Sequence, residues 1–481
     1  MEKRDPGTNG RARDAAGLDL RALARTGPVH FVGISGAGVS ALAELVLRSG
    51  GRVTGCDLRS GPVVDALRAL GADVAEGHDP SHVADAVAVV TTAAVPADHP
   101  ELAEARSRGI PVLKRAEALG ALVNRGTVVA VAGTHGKTTT TAMTTAILAE
   151  AGLDPTGFVG GRVPEWGSGL RAGSDSLFVV EADEYDRSFL TLRPDVAVVT
   201  TIEADHLDIY GTLEAVEAAF RDFAAPVPSD GLIAACVDDP GAKRLLEQVA
   251  GARGYGYGLS AEAALRAVDV EARGRGSRFM LVEHGAPQGE VVLGVPGVHN
   301  VRNALGAIAA ARHLGADLAS IRRALAEFHG VGRRFEALGE AGGVLFVDDY
   351  AHHPTEIEAT LAAARSAYPE RRLVVVFQPH LYSRTRDFAA EFGRALAGAD
   401  AVWVADVYPA RETPIPGVTG ELVANAARAA GATDVHYHAD VAELRDALAA
   451  SLRAGDLCLT LGAGDIDETG RVVRARLEAT S

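Results

Sequence analysis

Short runs of Val, Ile and Ala alternate along the chain with longer segments rich in Ala, Leu, Arg and Glu, whose apolar residues recur at helical spacing. A run that is apolar at every position suits a strand covered on both faces, and the helix that follows supplies the crossover of a parallel sheet. The pattern predicts strands at residues 29–34, 52–55, 87–91, 128–132, 177–181, 196–201, 344–347, 373–377, 401–405 and 457–461. The chain therefore reads as α/β throughout. Polar breaks at Asn124-Arg125-Gly126 and from Gly330 to Arg334 each end a helical stretch before a new strand-first unit. They divide the chain into domains 27–125, 126–331 and 332–481, behind a charged, Gly/Arg-rich stretch 1–26 expected to be a mobile tail. Residues 251–294, rich in Gly, Tyr and charge, are expected to add small antiparallel strands to the middle domain.

Composition narrows the class. No apolar run approaches the ~18 residues of a membrane span, and the first 25 residues lack the apolar centre of a signal peptide. A net charge of -16 argues against nucleic acid and anionic membranes as partners. Cys56, Cys236 and Cys458 are far apart and lie in or beside apolar runs, which suits reduced core thiols and a cytoplasmic protein.

The strongest chemical signal is Gly133-Thr134-His135-Gly136-Lys137-Thr138-Thr139-Thr140-Thr141, between the run 128–132 and a helical stretch. A strand turning through glycines into a helix N-terminus aims backbone N–H groups and the helix dipole at one point, which suits phosphate. Lys137 adds a mobile cation, and Thr138 the hydroxyl that such loops give to Mg2+. The match is incomplete, because Val131 stands where the general pattern has a further glycine. Lysine is otherwise confined to Lys3, Lys114 and Lys243 in a chain that favours arginine. The middle domain is thus expected to be a phosphate-loop ATPase-type parallel sheet.

Other polar clusters follow predicted strands. In the first domain, Ser35-Gly36-Ala37-Gly38 leads into a helix and Asp57 ends the next strand, a Rossmann-like arrangement whose carboxylate would meet a ribose. In the middle domain, Glu181-Ala182-Asp183-Glu184-Tyr185-Asp186 and Glu203-Ala204-Asp205-His206-Leu207-Asp208 would emerge on the same edge as the phosphate loop. Glu181 and His206 are the candidates for Mg2+, whereas Glu184 and Asp208 read as solvated loop charges or helix caps. The third domain, also expected to be Rossmann-like, carries Asp348-Asp349-Tyr350-Ala351-His352-His353-Pro354 and Gln378-Pro379-His380-Leu381-Tyr382-Ser383-Arg384 after strands. No further Cys or His stands at structural-zinc spacing from the paired histidines, and His353, directly before Pro354, suits a helix cap.

Together these strings resemble the Mur ligase family, ATP-dependent amide-forming enzymes of bacterial peptidoglycan synthesis, over about residues 28 to 470. Within it, they and His299-Asn300-Val301-Arg302-Asn303, Arg333-Arg334-Phe335-Glu336 and Leu461-Gly462-Ala463-Gly464-Asp465 are most similar to the alanine-adding members. The resemblance implies UDP-N-acetylmuramate, L-alanine and ATP as partners, Mg2+ as cofactor, an acyl-phosphate intermediate and a monomer or weak homodimer. It assigns Gly133, Thr134, His135, Gly136, Lys137, Thr138, Thr139, Asn303, Arg333, Asp349 and His352 to ATP, and Gly36, Gly38, Asp57 and Thr91 to the sugar nucleotide. Tyr350, His380 and Arg384 fall to the amino acid, Thr138, Glu181 and His206 to the metal, and Lys137, His206, His380 and Arg384 to catalysis.

Two departures matter. Phe220 stands where later ligases of the pathway carry a carbamylated, metal-bridging lysine, and Leu381 where many alanine-adding members have arginine. A murein peptide ligase, which uses a recycled tripeptide, is the rival within the family. An NAD-dependent oxidoreductase, resting on the first glycine turn and Asp57, and a nucleotide-gated scaffold are the rivals outside it.

Overall fold

The computed structural model describes residues 18–92, 94–249, 251–410 and 412–480. They form three sheets. The first contains β1 (Pro28–Val32), β2 (Arg52–Asp57), β3 (Asp73–Glu76), β4 (Ala88–Thr91) and β5 (Val112–Lys114), in the order β3-β2-β1-β4-β5. All its neighbours are parallel, with Val29 opposite both Val53 and Ala88. The strand order reverses between β1 and β4, the topology that opens a crevice at the carboxyl ends.

The second sheet contains β6 (Thr127–Ala132), β7 (Thr156–Phe158), β8 (Leu170–Arg171), β9 (Leu177–Glu181), β10 (Val196–Val199), β11 (Leu232–Cys236), β12 (Gly254–Gly258), β13 (Leu265–Arg273), β14 (Gly276–Glu283) and β15 (Ala286–Leu293). Its order is β15-β14-β13-β12-β11-β10-β6-β9-β7-β8, so β6 lies between β10 and β9, each parallel to it. Val128 through Ala132 are fully buried, as a strand covered on both faces requires. The antiparallel addition expected over 251–294 is confined to β13–β15, joined by two-residue turns; β12 pairs in parallel with both β11 and β13.

The third sheet runs β16 (Glu336–Ala341), β17 (Val344–Asp349), β21 (Asp456–Leu461), β18 (Arg372–Phe377), β19 (Ala401–Ala405) and β20 (Val435–His438) in space. Only β16, against β17, is antiparallel. One apolar cluster, including Leu345, Val375 and Leu459, covers one face, and another, including Phe346, Val374 and Cys458, covers the other. The chain divides into two compact units: residues up to Val268 with Leu281–Gly289 and Arg302–Leu325, and Asp269–Met280 with Glu290–Val301 and the chain from Ala326. The first sheet and the parallel part of the second lie in the first unit, and the third sheet lies in the second.

Part of the expected tail is ordered. Residues 1–17 lie outside the described residues, but Leu20–Thr26 form a helix that Asp19 caps by accepting from Ala22 N at 2.9 Å. Leu20 and Ala24 are buried in the core of the first unit, and that apolar contact holds the helix where its charged neighbours suggested a free end. The three cysteines are buried and unpaired, and among the described residues no helix is long and apolar enough to cross a membrane.

Candidate active site

At the carboxyl end of β6 the chain turns through Gly133, at φ 140°, and Gly136, at φ 80°, into the helix Lys137–Glu150. A side chain at Gly133 would strike Thr200, and one at Gly136 would strike the Asn303 side chain, so both positions need glycine for space as well as for φ. The segment after β10 clasps this loop: Thr134 N donates to Thr201 O (2.9 Å), His135 N to Thr201 Oγ1 (3.0 Å) and Glu203 N to Thr134 Oγ1 (2.9 Å). The predicted strand 196–201 ends at Val199: Thr200 N still donates to Ala132 O at 3.0 Å, but its hydroxyl donates to His135 O and Thr201 turns to hold the loop.

Lys137 points back over the loop. Its Nζ donates to Gly133 O at 2.7 Å and meets the two Glu184 carboxylate oxygens at 3.0 and 2.8 Å. Burial alone would lower the lysine pKa, but Glu184 and its acidic neighbours raise it, so the ammonium is retained. Glu184 is 3 % exposed, and its burial pushes the carboxyl up against the pull of Lys137. The expectation of a solvated or capping Glu184 is thus overturned: it is the lysine's buried counter-ion. The string of acids after β9 was visible in the sequence, but spacing could not rank its members. The Asp208 side chain lies outside the described residues.

The three metal candidates are only partly assembled. Thr138 Oγ1 donates to Glu181 Oε1 at 2.9 Å, and Gly160 N donates to Glu181 Oε2. His206, at left-handed φ 52°, instead faces Glu184 Oε1 and Asp205 Oδ2, each at 3.8 Å. Phe220 is a core residue, fully buried with its ring edge-on to Phe189.

Glu181 also lines a cleft with Gly38, Arg115, Phe158, Gly160 and Asp183. Gly36 precedes the helix Ala37–Arg48, and a side chain at Gly38 would meet the Arg115 guanidinium at 2.9 Å. Asp57 accepts from Ser35 N (3.0 Å) and Ser35 Oγ (2.6 Å) on one oxygen and from Leu58 N (2.8 Å) on the other. Burial pushes its carboxyl up, but these donors more than offset that and keep it ionised. Thr91 ends β4 with its buried hydroxyl unpartnered among the described residues.

In the second unit, Arg333, at φ 58°, donates from Nη2 to Gly462 O at 2.7 Å and lies with Arg334 over the Tyr350 ring, each guanidinium 5.0 Å from its centroid. Asp349 accepts from Phe335 N and Ala351 N, both at 2.8 Å, while burial raises its pKa to about 6. The rings of Tyr350, His352 and His380 form a chain, with centroids 5.2 and 5.8 Å apart, that continues by stacking onto Tyr408. His352 Nδ1 lies 2.9 Å from Tyr350 O, and burial lowers its pKa to about 4. Buried Arg384 adds to that lowering, which places its charge beside the ring. His353 takes the cap position of the helix Pro354–Ala367, and its ring packs on Phe388. Leu381 has φ 70°, an unusual conformation for a branched side chain, at the start of the helix Tyr382–Asp387.

Three family models match: the Mur ligase family catalytic domain over residues 28–127, the Mur ligase middle domain over 131–311, and the Mur ligase glutamate ligase domain over 333–464. The UDP-N-acetylmuramate--L-alanine ligase of Geobacter sp. (strain M21) is 46% identical over 451 residues, 94% of this chain and 98% of that protein. The crystal structure of UDP-N-acetylmuramate-alanine ligase from Thermotoga maritima superposes with TM-score 0.81 at 30% identity, covering 95% of this chain and 100% of that one. A murein peptide ligase from Psychrobacter arcticus gives TM-score 0.69 at 26% identity, covering 94% and 99%.

Proposed function

The chain belongs to the Mur ligase family, and from that premise we propose that it joins L-alanine to the carboxylate of UDP-N-acetylmuramate at the expense of ATP. The carrying observation is the match to a ligase of that name over 98% of its length at 46% identity. The murein peptide ligase is less similar in both sequence and fold. The oxidoreductase reading leaves Lys137, Glu181 and His206 without a task.

A free carboxylate acylates poorly because its leaving group would be oxide. Transfer of the γ-phosphoryl group of ATP converts it to an acyl phosphate. The neutral amine of L-alanine adds to that carbonyl, and the tetrahedral intermediate expels phosphate, leaving amide, ADP and phosphate. The N–H groups of residues 133–139 and Lys137 are assigned to the phosphates, where preorganised charge lowers the barrier. Thr138 and Glu181 would hold Mg2+: a hydroxyl and a carboxylate, the hard oxygen ligands that ion takes, lie side by side at 2.9 Å at the start of the helix that follows the loop. His206 is assigned as a third holder. Bound Mg2+ would neutralise charge on the transferring phosphoryl group.

The assignments extend to all three proposed domains. Asn303, Arg333, Asp349 and His352 go to ATP, and Gly36, Gly38, Asp57 and Thr91 to the sugar nucleotide. Arg384 would pair with the alanine carboxylate beside Tyr350 and His380. The proposed reaction consumes ATP and a nucleotide sugar, which supports a cytoplasmic enzyme. The test is phosphate release with UDP-N-acetylmuramate and ATP across L-alanine, glycine, L-serine and the tripeptide. L-alanine should dominate; turnover with tripeptide but not with L-alanine would replace this reading by the murein peptide ligase.

A further inference from the structure

Away from the nucleotide loop, the first sheet gathers a set of soft and borderline ligands. His30 comes from β1, Cys56 from β2, His78 from the turn after β3, and Glu101 from the first turn of the helix Pro100–Ser107. Glu101 is fully buried. Its Oε2 lies 3.0 Å from Cys56 Sγ and 3.6 Å from His30 Nε2. Its Oε1 accepts from Asp79 N at 3.0 Å and lies 2.8 Å from His82 Nδ1 and 3.8 Å from His78 Nδ1. Cys56 Sγ is in turn 3.2 Å from His78 Nδ1.

Two features of the cluster suit a cation. Glu101 is fully buried, and its neighbours are imidazoles, a thiol and a backbone N–H, with no lysine or arginine paired to it among the described residues. His30 is 1% exposed, its Nδ1 lies 3.0 Å from Thr54 Oγ1, and its Nε2 has no hydrogen-bond partner. His30 Nε2 faces Glu101 Oε2 at 3.6 Å: with hydrogen on Nε2 the gap holds a proton, and with hydrogen on Nδ1 toward Thr54 the Nε2 lone pair is open to a metal ion in its place.

We infer that this cluster is a binding site for a zinc-class divalent ion, with His30 Nε2, Cys56 Sγ and Glu101 Oε2 as its protein ligands. Their donor atoms all lie within 4.8 Å of one another. Zinc bonds of ~2.0–2.3 Å set tetrahedral edges of roughly 3.3–3.6 Å, and Glu101 Oε2 lies 3.0 Å from Cys56 Sγ and 3.6 Å from His30 Nε2. His82 and Asp79 N orient the carboxylate through its other oxygen, as partners outside a metal's own ligands commonly do. In the metal-free protein Cys56 donates its S–H to Glu101 Oε2 at 3.0 Å. The ion takes the sulfur lone pair and the thiol proton leaves to solvent, one proton per ion bound. The bound ion would join β1, β2 and the helix Pro100–Ser107 directly beside Asp57.

The test loads metal-stripped full-length protein with Co2+ and reads the near-ultraviolet thiolate-to-cobalt charge-transfer band. Zn2+ is then titrated in against a chromophoric chelator. The expected result is a charge-transfer band that Zn2+ abolishes by displacement, a melting temperature raised by Zn2+, and loss of the band in Cys56→Ser. Cys236→Ser and Cys458→Ser should keep it. The nucleotide loop cannot mimic this signal, because no cysteine lies among residues 133–206. Absence of the band in the native protein, or its survival in Cys56→Ser, overturns the site. If Cys56→Ser fails to fold, Glu101→Gln takes its place, with at least a tenfold weakening of Zn2+ binding expected and unchanged binding overturning the site.

Discussion

On the proposed assignment of Lys137 to phosphate, Glu184 competes with nucleotide for the ammonium, and Glu184→Gln measures that competition. The ammonium has three protons and meets four acceptors: Gly133 O at 2.7 Å, Thr134 O at 3.3 Å and the Glu184 oxygens at 2.8 and 3.0 Å. A phosphate can therefore engage Lys137 only by displacing or sharing the donors that Glu184 holds. The side chains are 13% and 3% exposed, so solvent screens the pair weakly. A hydrogen bond to a charged group contributes about 1.5–3 kcal/mol and a neutral one about 0.5–1.5, so the isosteric amide forfeits about 1–1.5 kcal/mol in the nucleotide-free protein. The same amount is then no longer spent when phosphate displaces the side chain, and it corresponds to roughly tenfold tighter nucleotide binding. Calorimetric titration with a non-hydrolysable ATP analogue and Mg2+ should show that gain, alongside a lower melting temperature without nucleotide. Unchanged or weaker affinity in a variant that still melts cooperatively would refute the competition and make Glu184 a partner of the nucleotide.

Lys137→Ala should abolish ligation, read as phosphate release, while sugar-nucleotide binding by calorimetry stays near native; substantial turnover would remove Lys137 from the chemistry. His352 has its pKa lowered to about 4 from 6.5, so the unfolded chain binds more protons between those values. Its contribution to stability is present above about pH 6.5 and is lost as pH falls to about 4, by about 3 kcal/mol at ~1.4 kcal/mol per pH unit. His352→Gln should flatten the acid decline of the melting temperature over that window, against which Asp349, raised to about 6, works in the opposite sense below its pKa. Phe220→Ala should cost about 3–5 kcal/mol of stability, seen as a lowered melting temperature, and leave the Mg2+ dependence of phosphate release unchanged. A shifted Mg2+ requirement would return position 220 to the metal.

Much of the fold was legible because a strand covered on both faces writes its burial into every position. Residues 177–181 and 401–405 were read without error, and most other strands to within a residue or two at each end. The deviations have local causes. The strand read at 29–34 stops at Val32 because Gly33, at φ 72°, turns the chain so that Gly33 N and Ile34 N both donate to Cys56 O. The strand read at 344–347 runs on through Asp348 and Asp349, since Thr460 Oγ1 donates to Asp348 Oδ1 and two backbone N–H groups satisfy Asp349. Polarity ended the predicted strand, but partners from elsewhere in the chain let it continue.

The site shows the same division between local and distant information. The loop from Gly133 to Thr141 is contiguous, so its glycines, lysine and threonine could be read in one string. Glu184 meets Lys137 across 47 positions, and nothing in Glu-Ala-Asp-Glu says which acid turns inward. Of the left-handed residues Asp186 and Arg187 that follow it, aspartate adopts that conformation readily but arginine does not, so residue type gave little warning of that turn. The first sheet did leave a trace. His30 is a polar residue in an otherwise apolar strand, and Cys56 directly precedes Asp57. Read alone, each passes for a core position; only the pairing of Phe31 with Gly55 and Val32 with Cys56, and the helix that brings Glu101 from 45 positions away, converts them into one ligand set.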